Sequence, residues 1–411
     1  MNIMEAHKRN EHAVQEIQHD ISTHDTIKAE LVLQDISAYP APVQKRILFE
    51  ISRAADSFAL PLLAFLWHMH RNIFSAYPGL YDILVSKARN NEQFVLARIQ
   101  PKEKNLPAYA WLCGELHIPE AAHPLLDVVH KITQTSTIAC IIEALGRIGE
   151  PRAVKPLAEF VQVKNSPLAG QAATALVRIA SEPAMQHVDQ ALGFNESVDQ
   201  AIVAACGELQ TQPALRILNR ALLQAQPPVQ TQAAEVFSRL GSSGLSILHA
   251  NLHHGPLELQ LRSLGILGQV QDQSSLQPIR RLLTAHPEEK LRTAAYEALG
   301  RLTLTQGAYV LVSGLMDTSK PVRLAAARAA EQNAGPQMLH GIHNLVHDED
   351  AQALLIVRTL FQAQAETLIA SLWESPHFRQ LALRTAENCR ECSTHELLAS
   401  LPAEDIDPDN R

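Results

Sequence analysis

The sequence predicts an all-α fold, an α-solenoid of stacked antiparallel helix pairs, on three observations. Apolar residues make up 46% of the chain and aromatics only 5%. That is the composition of packed helices, not of β-sandwiches or disordered chain. One short pattern recurs at a nearly fixed interval, and each copy carries apolar residues at spacings that share one side of a helix.

The recurrence is measured from Ala144 in "EALGRIG", taken as a mark. Equivalent positions are Leu112, Ala144, Ala175, Ala205, Val236, Ile266, Ala298, Ala329 and Thr359, always 30 to 32 residues apart. This regularity displaces the two or three globular domains that a chain of 411 residues would otherwise suggest. One place after the mark stand Cys113, Leu145, Leu176, Cys206, Phe237, Leu267, Leu299, Ala330 and Leu360. Three places before it stand Tyr109, Ile141, Ala172, Ile202, Ala233, Ser263, Ala295, Ala326 and Ile356. Offsets of −3, +1 and +4 lie on one side of a 3.6-residue helix, so each copy contains a helix with a buried stripe.

The elements follow in order. Residues 1–40 read as a polar helical cap, with Val14, Ile17 and Ile21 at helical spacing to dock on the first repeat. Residues 41–108 read as irregular helical repeats, and "ILFEISRAADSFALPLLAFL" at 47–66 looks like a divergent copy. Residues 109–390 hold the regular units. In each, the marked helix is stopped by a turn, as by Gly149 and Pro151 in "GRIGEP", and a partner helix such as "RAVKPLAEFV" begins. Gly114, Gly146, Gly207, Gly268 and Gly300, two places after the mark, predict close approach of neighbouring helices. Residues 391–411 read as an acidic C-terminal tail, whose last stretch, "PAEDIDPDNR" at 402–411, is acidic, proline-broken and expected to be unfolded.

"LRTAAYEALGRL" and "VRLAAARAAEQ" resemble the second helix of HEAT repeats, specifically the short bacterial class of about 30 residues called phycobilisome-lyase-like. Pro124, Pro156 and Pro278, each 12 places after a mark, are similar to the kinking proline of the first helix in that family. The resemblance spans residues 109–375. It implies a superhelical stack whose concave wall, lined by second helices, binds another protein without catalysis. Bacterial proteins of this kind accompany signalling systems, which makes a signalling adaptor the specific expectation. The alternative that the resemblance implies is a bilin lyase or other modifier of a client protein. The hydroxylase built on the same repeats binds two irons through repeated His-Glu pairs. Here the only such dipeptide is His395–Glu396, so that activity is not expected.

Charge narrows the partner. Residues 1–40 carry 3 basic and 7 acidic side chains, residues 41–340 carry 27 and 24, and residues 341–411 carry 5 and 12. Acidic ends around a nearly neutral middle argue against nucleic acid, which selects a basic surface. The longest apolar run, "FALPLLAFLW", is too short to span a bilayer. A charged start without an apolar h-region and five cysteines in a long chain suit a reducing cytoplasm.

The exposed ladder assigned to the concave wall, three places after each mark, is Arg147, Arg178, Glu208, Arg239, Gln269 and Arg301. Its architectural explanation is equally concrete. Glu143 with Arg147, Glu235 with Arg239, and Glu297 with Arg301 are i,i+4 pairs in the favoured order. Eleven of the 19 aromatics fall between Tyr39 and Trp111, including Phe65, Trp67, Phe74, Tyr77 and Tyr81. They form either a bulky core or an interaction patch. His340, His343 and His347, followed by acids 348–350, are weak candidates for a metal site, and so are Cys389 and Cys392 in a lone C-x-x-C. His249, His253 and His254 form a second histidine-rich segment. Solvated histidines and a single incomplete cysteine motif are the preferred reading. No metal, no cofactor and no catalytic residue is expected.

Overall fold

The computed structural model describes residues 3–163, 166–193, 195–285, 288–302, 309–347 and 351–387. Among them every regular element is a helix, α or 3-10, and none is a strand. The chain divides into two compact units, Met1–Ile217 and Leu218–Arg411, with the boundary inside helix Gln212–Gln224.

In the N-terminal unit, helix Ile3–Thr23 packs on Ala41–Arg53 through Val14 and Ile17, which are fully buried, while Ile21 is half-buried. Helix Thr26–Gln34 packs on Asp56–Met69. The latter buries nine side chains from Phe58 to Trp67, more than one face of a helix provides, because neighbours cover it on several sides. The regular second helices of this unit are Leu106–Glu115, Thr135–Ile148, Ala169–Ile179 and Glu196–Leu209, each packed on the next. Between them run the first helices Ala122–Val129, Val154–Gln162 and Glu182–Ala191.

The C-terminal unit repeats the scheme. Its second helices are Pro227–Arg239, Leu257–Val270, Glu289–Arg301, Lys320–Gln332, Ala351–Gln362 and Pro376–Glu387, and each is packed on the next. Its first helices are Gly241–His254, Leu276–Ala285, Tyr309–Gly314, Pro336–Leu345 and Glu366–Leu372.

The columns explain the stacking. All nine marks, all nine residues one place after them and all nine residues three places before are buried. The glycines do what their spacing predicts. A Cβ on Gly146 would stand 2.7 Å from the Ala175 Cα, and one on Gly300 would stand 2.9 Å from the Ala329 Cα. A glycine two places after one mark therefore receives the mark of the next copy almost backbone to backbone. Apolar area is buried between successive second helices as well as within each pair, so a single pair would expose the face its neighbours cover and could not persist alone.

The turns are equally periodic. Five places after the mark the backbone enters the left-handed region at His117, Gly149, Ala180, Gln210, Gly241, Gln271 and Gln364. At Gly149, Ala180, Gln210 and Gln271 the N–H bonds the carbonyl one place after the mark, which closes the helix. The prolines differ from the expected kink. Pro124, Pro156 and Pro278 are each the third residue of an α-helix entered from a 3-10 turn, Pro119–Ala121, Pro151–Ala153 and Gln273–Ser275. In the first turn of a helix the missing N–H has no intrahelical acceptor to lose, so each proline stands at a helix entry and not in a helix interior.

Candidate functional site

The ladder three places after each mark lies in the last turn of the second helices, where basic side chains are favoured by the helix dipole. In the N-terminal unit its charges are matched to each other. Arg147 bonds Glu115, the ladder residue of the preceding copy, and also Glu143 at 2.9 Å. Arg178 lies 3.9 Å from Glu208.

The C-terminal unit is different. Arg239 is exposed, and its Nε donates to the Glu235 carbonyl at 3.2 Å, not to the carboxylate the i,i+4 spacing suggested. Gln269 and Arg301 are exposed, and among the described residues Arg301 makes no ion pair, with Glu297 or any other acid. A side chain in the last turn can reach its own helix carbonyls, which competes with an exposed i,i+4 pair worth only a few tenths of a kcal/mol.

The arginine stems also have an architectural task. A Cβ on Gly114 would be 3.4 Å from the Arg147 Cδ, and one on Gly268 would be 3.3 Å from the Arg301 Cδ. Each stem thus covers the glycine of the preceding helix while its head remains at the surface.

A second column was not evident from sequence. Six places before the mark stand Asp199, Gln230, Gln260, Arg292 and Arg323. Gln230 donates to the Leu223 and Ala225 carbonyls, Gln260 to Leu252, and Arg323 to Asp317 and Thr318. Asp199 accepts from the Gly193 N–H at 2.9 Å. Arg292 grips Asp317 with two bonds, of 2.8 and 2.9 Å. The shared task is to tie a turn between helices to a second helix. Residue type varies because amides and guanidinium groups donate to carbonyl or carboxylate oxygens, whereas the Asp199 carboxylate accepts from a backbone N–H. A polar residue in the helix's second turn, repeated in register, was the available signal.

The histidines do not converge. His340 and His343 lie on helix Pro336–Leu345, whereas His347 lies beyond its end. His340 contacts the Asn344 amide at 3.2 Å, and the His347 ring is 6.1 Å from that of His377. His249 faces the Ser275 hydroxyl at 2.9 Å, and burial pushes its pKa down. Among the described residues no group of three or more His, Cys, Asp or Glu side chains is placed to hold a metal ion. Acids 348–350 and Cys389 and Cys392 lie outside the described residues. Cys113 and Cys206 are buried free thiols whose pKa burial pushes up to about 12, so they stay protonated and unreactive at neutral pH.

The aromatic block is largely core. Phe65, Trp67 and Phe74 are buried, and Tyr77 and Tyr81 are half-buried. Trp67 stacks on Trp111 with ring centres 5.0 Å apart, and Tyr81 meets Trp111 edge-on. The Arg71 guanidinium lies 4.1 Å from the Trp67 ring centre.

Residues 245–331 match the family model described as HEAT repeats. Comparison with curated proteins gives no match. Among solved structures, human deoxyhypusine hydroxylase is 18% identical, with 80% of this chain and 97% of that one aligned and a TM-score of 0.25. The complex of CpcE and CpcF of phycocyanin lyase from Nostoc sp. PCC7120 is 14% identical over 66% of this chain and 94% of that one, with a TM-score of 0.30. A structure of Kap95p with RanGDP is 12% identical over 94% of this chain and 59% of that one, with a TM-score of 0.32.

Proposed function

We propose, for a chain whose residues 245–331 are HEAT repeats, the role of a non-enzymatic protein-interaction scaffold or adaptor in bacterial signalling. Its partner is another protein, bound along the second-helix ladder. The observation that carries this reading is how the repeats use their surfaces. The apolar columns are consumed in stacking, and the second helices form the tightest layer because glycine meets alanine there. In a superhelical stack the tighter layer is the inner wall, which is the extended surface left for a partner. Arg147 and Arg178 are matched by neighbouring acids, whereas Arg239, Gln269 and Arg301 present exposed donors. The reading therefore places the contact on the ladder of the C-terminal unit. No described helix is long and apolar enough to cross a membrane, and the free buried thiols fit a reducing cytoplasm.

The test is capture of the tagged full chain from its native cell, with mass spectrometry and an absorption spectrum of the eluate. The parent is compared with the double variant Arg239→Ala, Arg301→Ala. A stoichiometric protein partner lost from the variant at unchanged helicity supports the ladder. A partner held equally by both proteins removes it. A pigment in the eluate without a stable protein partner replaces the scaffold by a modifying enzyme.

A further inference from the structure

The N-terminal cap holds a cavity of about 570 Å³, walled by helices Ile3–Thr23 and Thr26–Gln34 and by Asp35 and Tyr39 beyond them. That volume is in the range of small-ligand sites. One acid in its wall is unlike the others. Asp20 is only 3% exposed, and among the described residues its carboxylate accepts no hydrogen bond and makes no ion pair. Its backbone carbonyl is engaged, by the Asp25 N–H at 3.0 Å. The side chain also stands in the last turn of its helix, where the dipole opposes negative charge. Burial pushes its pKa up, and Asp25 adds to the rise. A buried carboxylate without a partner is costly, so Asp20 weakens the fold and returns no contact to it.

The cations in the same wall are committed elsewhere. Lys28 pairs with Asp25 at 3.1 Å, and His12 faces Glu16 at 3.2 Å. Glu16, one turn before Asp20, and Asp35 add negative charge, so the cavity is anionic. The rest of its wall is apolar, from Ala13, Leu31 and Val32. Leu31 is exposed, as is Ile27 one turn before it. A wall that is apolar where it meets solvent and anionic where it is buried fits a cation carried on an alkyl stem. A carboxylate with neither oxygen engaged can accept two parallel N–H bonds from a planar guanidinium, a geometry that an ammonium does not match.

We infer that this cavity binds an alkyl guanidinium, with the planar head on the Asp20 carboxylate, Glu16 beside it and the stem on Leu31 and Val32. The same chemistry is supplied by an arginine side chain of a partner protein or by a free alkyl guanidine. The site belongs to the N-terminal cap, whereas the scaffold reading uses the ladder of the C-terminal unit. It goes beyond that reading and does not rest on it.

The test is nuclear magnetic resonance of the isotope-labelled full chain, titrated with N-acetylargininamide, butylguanidinium and butylammonium. Both guanidinium probes should give saturable shifts at the backbone amides of His12–Asp20 and Lys28–Asp35, and butylammonium should bind more weakly. Asp20→Asn keeps the shape and removes the charge. Asp20 has no partner to lose, so this variant should keep its helicity and weaken binding by at least about tenfold. Glu16→Gln, at a half-buried to exposed position, should weaken it several-fold. Tighter binding of N-acetylargininamide identifies a protein side chain as the source, tighter binding of butylguanidinium a free guanidine, and either supports the site. Absence of saturation with both guanidinium probes overturns the inference. So does equal binding of butylammonium, or affinity unchanged in Asp20→Asn. No client protein enters the measurement, so each of these failures leaves the scaffold reading to its own test.

Discussion

Asp199 accepts one hydrogen bond, from the Gly193 N–H, and its second carboxylate oxygen is buried without a partner. Burial raises its pKa, and the Gly193 bond offsets only part of the rise. The folded chain therefore holds this proton to a higher pH than the unfolded chain does. Stability contributed by the protonated form is present below the ordinary aspartate pKa and is lost as pH rises toward the folded value. Asp199→Asn keeps the acceptor for Gly193 and removes the buried charge. The variant should be more stable than the parent at pH 7, and the advantage should vanish below about pH 3. Urea midpoints at the two pH values decide this, and equal midpoints at pH 7 would contradict it. Asp317 has the opposite sign. Burial pushes its pKa up, but the Arg292 and Ser319 hydrogen bonds outweigh it and hold the carboxyl below the ordinary range. Its contribution is present above the ordinary aspartate pKa and lost as pH falls through the folded value. Both side chains of this pair are about 15% exposed. Asp317→Ala, which takes both of these hydrogen bonds from the half-buried Arg292, should cost about 3 kcal/mol at neutral pH. A midpoint unchanged by that substitution would show that Arg292 finds another acceptor.

At the scale of the helix, the left-handed stop five places after the mark is imposed by the turn and not chosen by the residue. Of the seven positions that show it, only Gly149 and Gly241 are glycine. Ala180, at φ +53°, gains nothing from its side chain there. Ala180→Gly should raise stability by about 1 kcal/mol, since the steric cost of this conformation exceeds glycine's added entropy in the unfolded chain. A lowered urea midpoint would refute that. This column also shows what the sequence could reveal. The apolar stripes and the Gly146 and Gly300 contacts were legible because burial and close approach restrict residue type. The stop at Gly149 was legible for the same reason, but those at His117, Gln210, Gln271 and Gln364 were not, because no side chain advertises them. The column from Asp199 to Arg323 was hidden because amide, carboxylate and guanidinium perform one task. The Arg147–Glu143 pair could be read within one helix. The Arg147–Glu115 pair required knowing that positions one repeat apart are neighbours, and the exposed donors of the C-terminal unit required seeing which acids fail to arrive.

For the whole molecule, stacked repeats imply that damage should spread to neighbours and then fade. Leu267 is fully buried in helix Leu257–Val270, in the column that faces the adjoining repeats. Leu267→Asp places an unpaired carboxylate there, a cost of several kcal/mol that repacking cannot remove. If stability is a sum of repeat and nearest-neighbour terms, the loss falls first on that helix and on Pro227–Arg239 and Glu289–Arg301, which pack against it. Amide hydrogen exchange on the full chain measures this directly. Protection should collapse across residues 227–301 and survive in helices Asp56–Met69 and Leu106–Glu115, whose core is supplied by Trp67, Phe74 and Tyr109. The reciprocal variant, Leu145→Asp, should expose Leu106–Glu115 and Ala169–Ile179 and spare Lys320–Gln332. Uniform loss of protection from either variant would mean that the repeats fold as one cooperative body, and the nearest-neighbour account would then be wrong for this chain.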